Sequence, residues 1–150
     1  MLIRRLGADQ CSAVVAQLMA IDAVYVAEGV LELWTQTEFM MELPDKWILS
    51  QIAYDEATGE VIGYRIASGR GLIDRYAHSH RTAILQSRLR EGIASKLLEA
   101  TTGAALALGY RGISGKCMVG NHRSEAFLRA HGWTATGVTI GPNQVFRATF

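Results

Sequence analysis

The chain has 150 residues, of which 49% are hydrophobic and 19% charged, and its formal net charge is +1. That is the composition of one globular domain able to bury a core, and it excludes a disordered tail. Near-neutral charge gives no bulk attraction to nucleic acid or an anionic membrane, so neither is expected as a partner.

Leu2 to Leu6 reads as a short edge strand. Asp9 offers a helix cap before a helical run to about Glu28, with a wide apolar stripe through Val14, Val15, Leu18, Met19, Ile21, Val24 and Tyr25. Arg4-Arg5 precedes the apolar stretch Ala13 to Ala27, but Asp9, Gln10, Gln17 and Asp22 interrupt it. The interruptions argue against a signal peptide and a membrane-spanning helix, and a soluble, cytoplasmic protein is expected. Val30 to Leu43 reads as a second helix stopped by Pro44, and Trp47 to Tyr54 with Val61 to Ala67 as a β-hairpin around Gly59.

His78 to Leu85 reads as a third core strand, and Gly92 to Leu108 as a helix with Gly109 at its C′ position. Ile113 to Val119 is a strand, Ser124 to His131 a short helix, and Trp133 to Ile140 and Gln144 to Phe150 two closing strands. The whole chain, 1–150, forms one α/β domain in which helices cover a mixed, mostly antiparallel sheet. The unit from His78 to Val119 is a parallel, right-handed crossover. Cys11 and Cys117 fall in a helix and a strand and read as buried thiols, not a disulfide framework.

The chemistry concentrates in Ser87-Arg88-Leu89-Arg90-Glu91-Gly92-Ile93-Ala94-Ser95-Lys96, between a strand and a long helix. Small residues at the helix start let a ligand approach the backbone, and the unpaired N–H groups of the first turn carry the positive end of the helix dipole. With Arg88 and Arg90 this is a phosphate or pyrophosphate cradle, although an ordinary helix start flanked by solvated arginines reads the same way.

The chain resembles the GNAT superfamily of N-acetyltransferases along almost its whole length. The superfamily's pyrophosphate motif is Gln or Arg, two residues, Gly, one residue, then Gly or Ala, and Leu89 to Ala94 follows it. The hairpin Ile52 to Tyr64, the helix end Leu108-Gly109-Tyr110 and the segment Asn121 to Trp133 match further family features in the right order. The resemblance implies a splayed central strand pair, helices on both faces and acetyl-CoA as co-substrate. It implies that Ile84 and Leu85 pair with the pantetheine arm, and that Leu89, Arg90, Glu91, Gly92, Ile93, Ala94 and Ser95 hold the pyrophosphate. Asn121 and Ser124 would lie along the arm, with Phe127 near the thioester end. An amide of the splayed strand, Leu85 or a neighbour, would polarise the thioester carbonyl. The closing strands allow a homodimer.

Two positions depart from the family. Leu89 replaces the usual Gln or Arg, leaving the charge to Arg88 or Arg90, and Leu128 stands where many members have a Tyr that protonates the leaving thiolate. His78, fourteen residues before Gly92, matches the position of a Glu general base and is the candidate catalytic residue, with a partly buried structural histidine as the alternative.

His78 and His80 would form only half of a metal site, and no metal is expected. Trp34, Phe39, Met40, Met41, Glu38 and Glu42 read either as one wall of an acceptor site or as core and solvated face. The expectation is therefore acetyl transfer to an amine of unidentified identity by direct attack, aided by proximity. The competing readings are an acyl-CoA-binding regulatory or interaction module with little turnover, and a GNAT-like fold that binds no CoA.

Overall fold

The computed structural model describes residues 1–150. In chain order the strands are β1 (Leu2–Arg5), β2 (Gln51–Tyr54), β3 (Val61–Ser68), β4 (Tyr76–Ile84), β5 (Gly112–Met118), β6 (Thr134–Ile140) and β7 (Asn143–Thr149). The helices are α1 (Ala8–Ala27), α2 (Gln36–Met40), α3 (Lys46–Leu49), α4 (Ile93–Ala107) and α5 (His122–Ala130). The seven strands form one sheet in the order β1-β2-β3-β4-β5-β7-β6, parallel only between β4 and β5. Helix α4 makes that crossover.

The pleat sends neighbouring residues to opposite faces. Ala83 packs with Tyr64, Ile66 and the α1 residues Leu18 and Ile21, while Ile84 packs with Ala53, Ile62 and the α4 residues Ile93 and Leu97. A further cluster joins Leu98 and Ala105 of α4 to Ile113, Trp133 and Phe146.

The feature that shapes the site lies between β4 and β5. They pair from Tyr76–Gly112 to Ser79–Gly115 and no further. Strand β4 stays on β3 as far as Ile84–Gly63, so its other edge is open from His80 to Ile84. The Leu85 N–H donates to the Ile62 carbonyl at 2.9 Å. Since an antiparallel strand alternates the direction of its backbone groups, those of Ile84 and Thr82 face the gap instead.

The helical run from Val30 to Leu43 does not form as one element. Gly29, at φ 74°, ends α1, and the amides of Val30 and Leu31 turn back to the Tyr25 carbonyl. Helix α2 starts only after Thr35, whose N–H and hydroxyl both donate to the Glu38 carboxylate, at 2.9 and 2.6 Å. Trp47 to Leu49 is helix, not strand. A short apolar run carries no period to separate the two, and the Lys46 ammonium, buried beneath α3, holds the turn by donating to the Phe39 and Met41 carbonyls at 2.7 Å. The cap of α1 is Gly7, with Asp9 inside the first turn. By length and mean hydropathy α1 would be able to cross a membrane, contrary to the reading of its interruptions, but here its apolar face lies in the core and Asp22 is buried with it.

Candidate active site

The loop after β4 forms a single 3-10 turn, Gln86–Arg88, before α4. Arg90 and Gly92 both adopt left-handed backbone, at φ 67° and 80°. That conformation is free for glycine and costly for arginine, so the turn at Arg90 holds strain of the kind found at ligand sites. The first backbone bond of α4 is Lys96 N–H to the Gly92 carbonyl at 3.1 Å, and no N–H from Arg90 to Ser95 donates to any protein acceptor. A run of unpaired amides at a helix N-terminus, with open space beside Gly92, is a cradle of the kind that can hold phosphate oxygens.

Leu89 is half-buried against the α4-side core, where it anchors the loop. Arg88 does not supply the missing charge. Its guanidinium donates to Asp55 at 2.6 Å and to Glu91 at 2.9 Å, stapling the cradle to the β2–β3 hairpin. The Arg88 hydrogen bond, helped by the amides of Thr58 and Ala57, lowers the Asp55 carboxyl to about 2. Arg90 is exposed and in no ion pair, and is the cation left for a ligand.

Helix α5 faces the cradle. Asn121 caps it by accepting the Ser124 N–H at 3.2 Å, which brings those two predicted residues together. Phe127 packs on His131 with ring centres 4.3 Å apart. His131 Nδ1 lies 2.8 Å from the Phe127 carbonyl and its Nε2 3.0 Å from the Ser95 hydroxyl, so Phe127 is tied to the first turn of α4. Leu128 is buried with Trp133 and Phe146 and offers no proton.

One residue that the sequence reading placed only in an apolar stripe enters the gap. The Tyr25 hydroxyl of α1 donates to the Ile84 carbonyl. Burial raises its phenol pKa, and Arg123 of α5 pulls the other way. No pattern in the sequence distinguishes this tyrosine from a core aromatic.

The histidines sit at the closed end of the gap. His78 belongs to the paired part of β4, is only 3% exposed, and lies 2.8 Å from the Ser114 hydroxyl. His80 is the first residue past the last β4–β5 rung, is half-buried, and lies 2.6 Å from the Ser68 hydroxyl. Their rings are 4.8 Å apart, edge to face. Burial holds His78 at about 4, with His80 and Lys116 adding repulsion. His80 is also held at about 4 by burial, then by Lys46 and Lys116. Both are neutral at pH 7, with a lone pair but weak basicity. They gather no third metal-ligating side chain.

Phe39 is core, and Trp34 lies edge-on to it and beneath Arg81, whose guanidinium carbon is 4.8 Å from the Trp34 ring centre. Glu38 is used in the α2 cap, and Glu42 accepts from the Trp47 indole at 3.0 Å. Cys11 and Cys117 are buried free thiols, and burial raises both.

The model of the acetyltransferase (GNAT) family matches residues 16–133. The chain belongs to this GNAT family. As a GNAT acetyltransferase it is an acyltransferase with acetyl-CoA as donor. Solved structures agree in fold. Naa20 of Chaetomium thermophilum, in complex with a bisubstrate analogue, has a TM-score of 0.77 at 17% identity, covering 100% of this chain and 87% of that one. Diaminobutyrate acetyltransferase EctA of Paenibacillus lautus, in complex with L-2,4-diaminobutyric acid and coenzyme A, has 0.77 at 18%, covering 99% and 93%. The ribosomal-protein-S18-alanine N-acetyltransferase of Escherichia coli has 0.74 at 13%, covering 99% and 92%. No curated protein matches the chain.

Proposed function

We propose that this protein transfers the acetyl group of acetyl-CoA to a primary amine by direct attack, with no covalent enzyme intermediate. The observation that carries the proposal is the succession of two features along the chain: the open edge of β4, which starts at the imidazole pair, and the unpaired amides from Arg90 to Ser95 that follow it. When bound, acetyl-CoA supplies an acetyl group activated as a thioester.

The amides from Arg90 to Ser95 hold the pyrophosphate, with Arg90 as the free cation and Leu89 as the apolar anchor. Ile84 and Thr82 offer the gap-facing groups for the extended arm, in the manner of an added strand. One of their amides, and not that of Leu85, donates to the carbonyl oxygen. Asn121, Ser124 and Phe127 form the opposite wall. His80, with His78 behind it, accepts the proton that the acceptor ammonium must lose. Proximity in the groove supplies most of the rate.

A second reading has its own observation. Leu128 is sealed in the core and both imidazoles are held at about 4, so acid and base are each weaker than efficient turnover requires. On that reading the domain binds acyl-CoA and signals through it. Release of CoA thiol, measured with a panel of primary amines, separates the two. Amine-dependent release supports transfer, and tight CoA binding without amine-dependent release supports the module.

A further inference from the structure

One row of side chains crosses the sheet on the face that carries the imidazoles. Ser68 of β3 stands opposite His78 of β4, His78 beside Ser114 of β5, Ser114 opposite Arg147 of β7, and Arg147 opposite Thr134 of β6. Residues paired this way share a face, and the His78–Ser114 contact at 2.8 Å confirms it for that pair. Lys116, two residues past Ser114, is on the same face, and its charge is felt by both imidazoles.

Lys116, Arg147 and Thr134 are exposed, and β6 is exposed along almost its whole length, so this half of the face is open to solvent. Neither Lys116 nor Arg147 is in an ion pair with any carboxylate of the chain. The face thus presents two cations that pair with no carboxylate of the chain, on the same side of the sheet as the two histidines. A polyamine or other multiply cationic acceptor would be repelled there.

We infer that Lys116 and Arg147 form an anion subsite of the acceptor site, so that the acceptor is an amine carrying its own carboxylate or phosphate. The inference rests on the acetyl-transfer reading above. Adjacent strands are about 4.8 Å apart, which puts the row position of Arg147 about 10 Å from that of His78. An arginine side chain is long enough to reach back across much of that distance, so an anion a few bonds from the amine can still meet it. Arg147 suits a bidentate contact with such an anion, and Lys116 acts as a point charge.

The test uses matched amines with acetyl-CoA: an α-amino acid against its amide, and phosphoethanolamine against ethanolamine. The inference expects kcat/KM for at least one anionic member to exceed that of its neutral partner tenfold or more, mainly through KM. It expects that advantage to shrink in Lys116→Ala and Arg147→Ala, to vanish in the double variant, and to weaken at high salt. The carboxylate and phosphate arms show which anion is preferred. Equal rates for both members of each pair, or an anionic preference that survives the double variant, would overturn it. The thermal shift given by acetyl-CoA is read in the same samples. A clear shift and transfer without anionic preference sink the subsite alone, whereas no shift and no transfer sink the acetyltransferase reading and the subsite together.

Discussion

The Tyr25 hydroxyl donates to the carbonyl of Ile84, a group that faces the gap between β4 and β5. An extended ligand that pairs with β4 must take that carbonyl or share it. If the arm pairs with β4 as proposed, Tyr25 latches the free site from α1 and releases Ile84 when the arm binds. Tyr25→Phe removes the hydroxyl and little else. It is expected to cost the free protein about 1 kcal/mol, the net value of one hydrogen bond. Where the ligand takes the carbonyl in place of the phenol, the bound form lacks that bond, and CoA is expected to bind the variant about fivefold more tightly. Calorimetric titration with CoA checks this, and weaker binding would show that Tyr25 braces the strand for the ligand.

The strained turn at Arg90 predicts an opposite pair of effects. Arg90→Gly relieves a left-handed residue and is expected to raise stability by about 0.5–1 kcal/mol, while lowering CoA affinity less than tenfold because the amides remain. Gly92→Ala places a side chain at φ 80° and is expected to lose about 1–2 kcal/mol. Urea denaturation with and without CoA measures both.

Beneath α1, Arg81 donates to Asp22 at 2.9 Å and to the Glu32 carbonyl at 2.7 Å, and the Tyr64 hydroxyl donates to Asp22 at 2.5 Å. Both charged side chains are almost fully buried. Asp22→Leu leaves Arg81 charged and unpaired in the core, with an expected loss of about 3–5 kcal/mol. The shift in urea midpoint reads it, and a loss under 1 kcal/mol would mean that water reaches Arg81.

The buried neutral His78 makes stability depend on pH. Its folded pKa, about 4, lies below the unfolded value of about 6.5, so below pH 6.5 the unfolded state binds the extra proton. The contribution is complete above pH 6.5 and is lost as pH falls toward 4, on the order of 3 kcal/mol in all. His78→Gln is expected to reduce the slope of stability between pH 6.5 and 4 by about half, the rest coming from His80, which is held at about 4 as well. The same depression predicts no imidazole limb between pH 6 and 8 in the rate profile, where deprotonation of the acceptor amine governs.

Much of this architecture is legible in the chain. Helix α4 shows its period in Ile93, Leu97, Ala100 and Ala104, and the cradle shows as small residues at its start, because both signals are local. The sequence does not show the bounds of α2 and α3, which depend on Lys46 reaching back to Phe39 and Met41, a contact that no pattern encodes. Arg88 looked free because its partner Asp55 lies in a distant hairpin. Only the end of the β4–β5 pairing distinguishes His80 from His78, so no sequence pattern singles out His80 as the proton acceptor proposed above. Tyr25 was hidden for the same reason: its role is set by where β4 leaves β5.

The most direct test of the acetyl-CoA groove is the thermal midpoint of the purified protein with acetyl-CoA, with CoA and without ligand. At a ligand concentration a hundredfold above Kd the stabilisation is about 2.7 kcal/mol, and a clear upward shift with both ligands is expected. An unchanged midpoint at millimolar ligand would mean that the amides from Arg90 to Ser95 hold no pyrophosphate, and it would contradict the account.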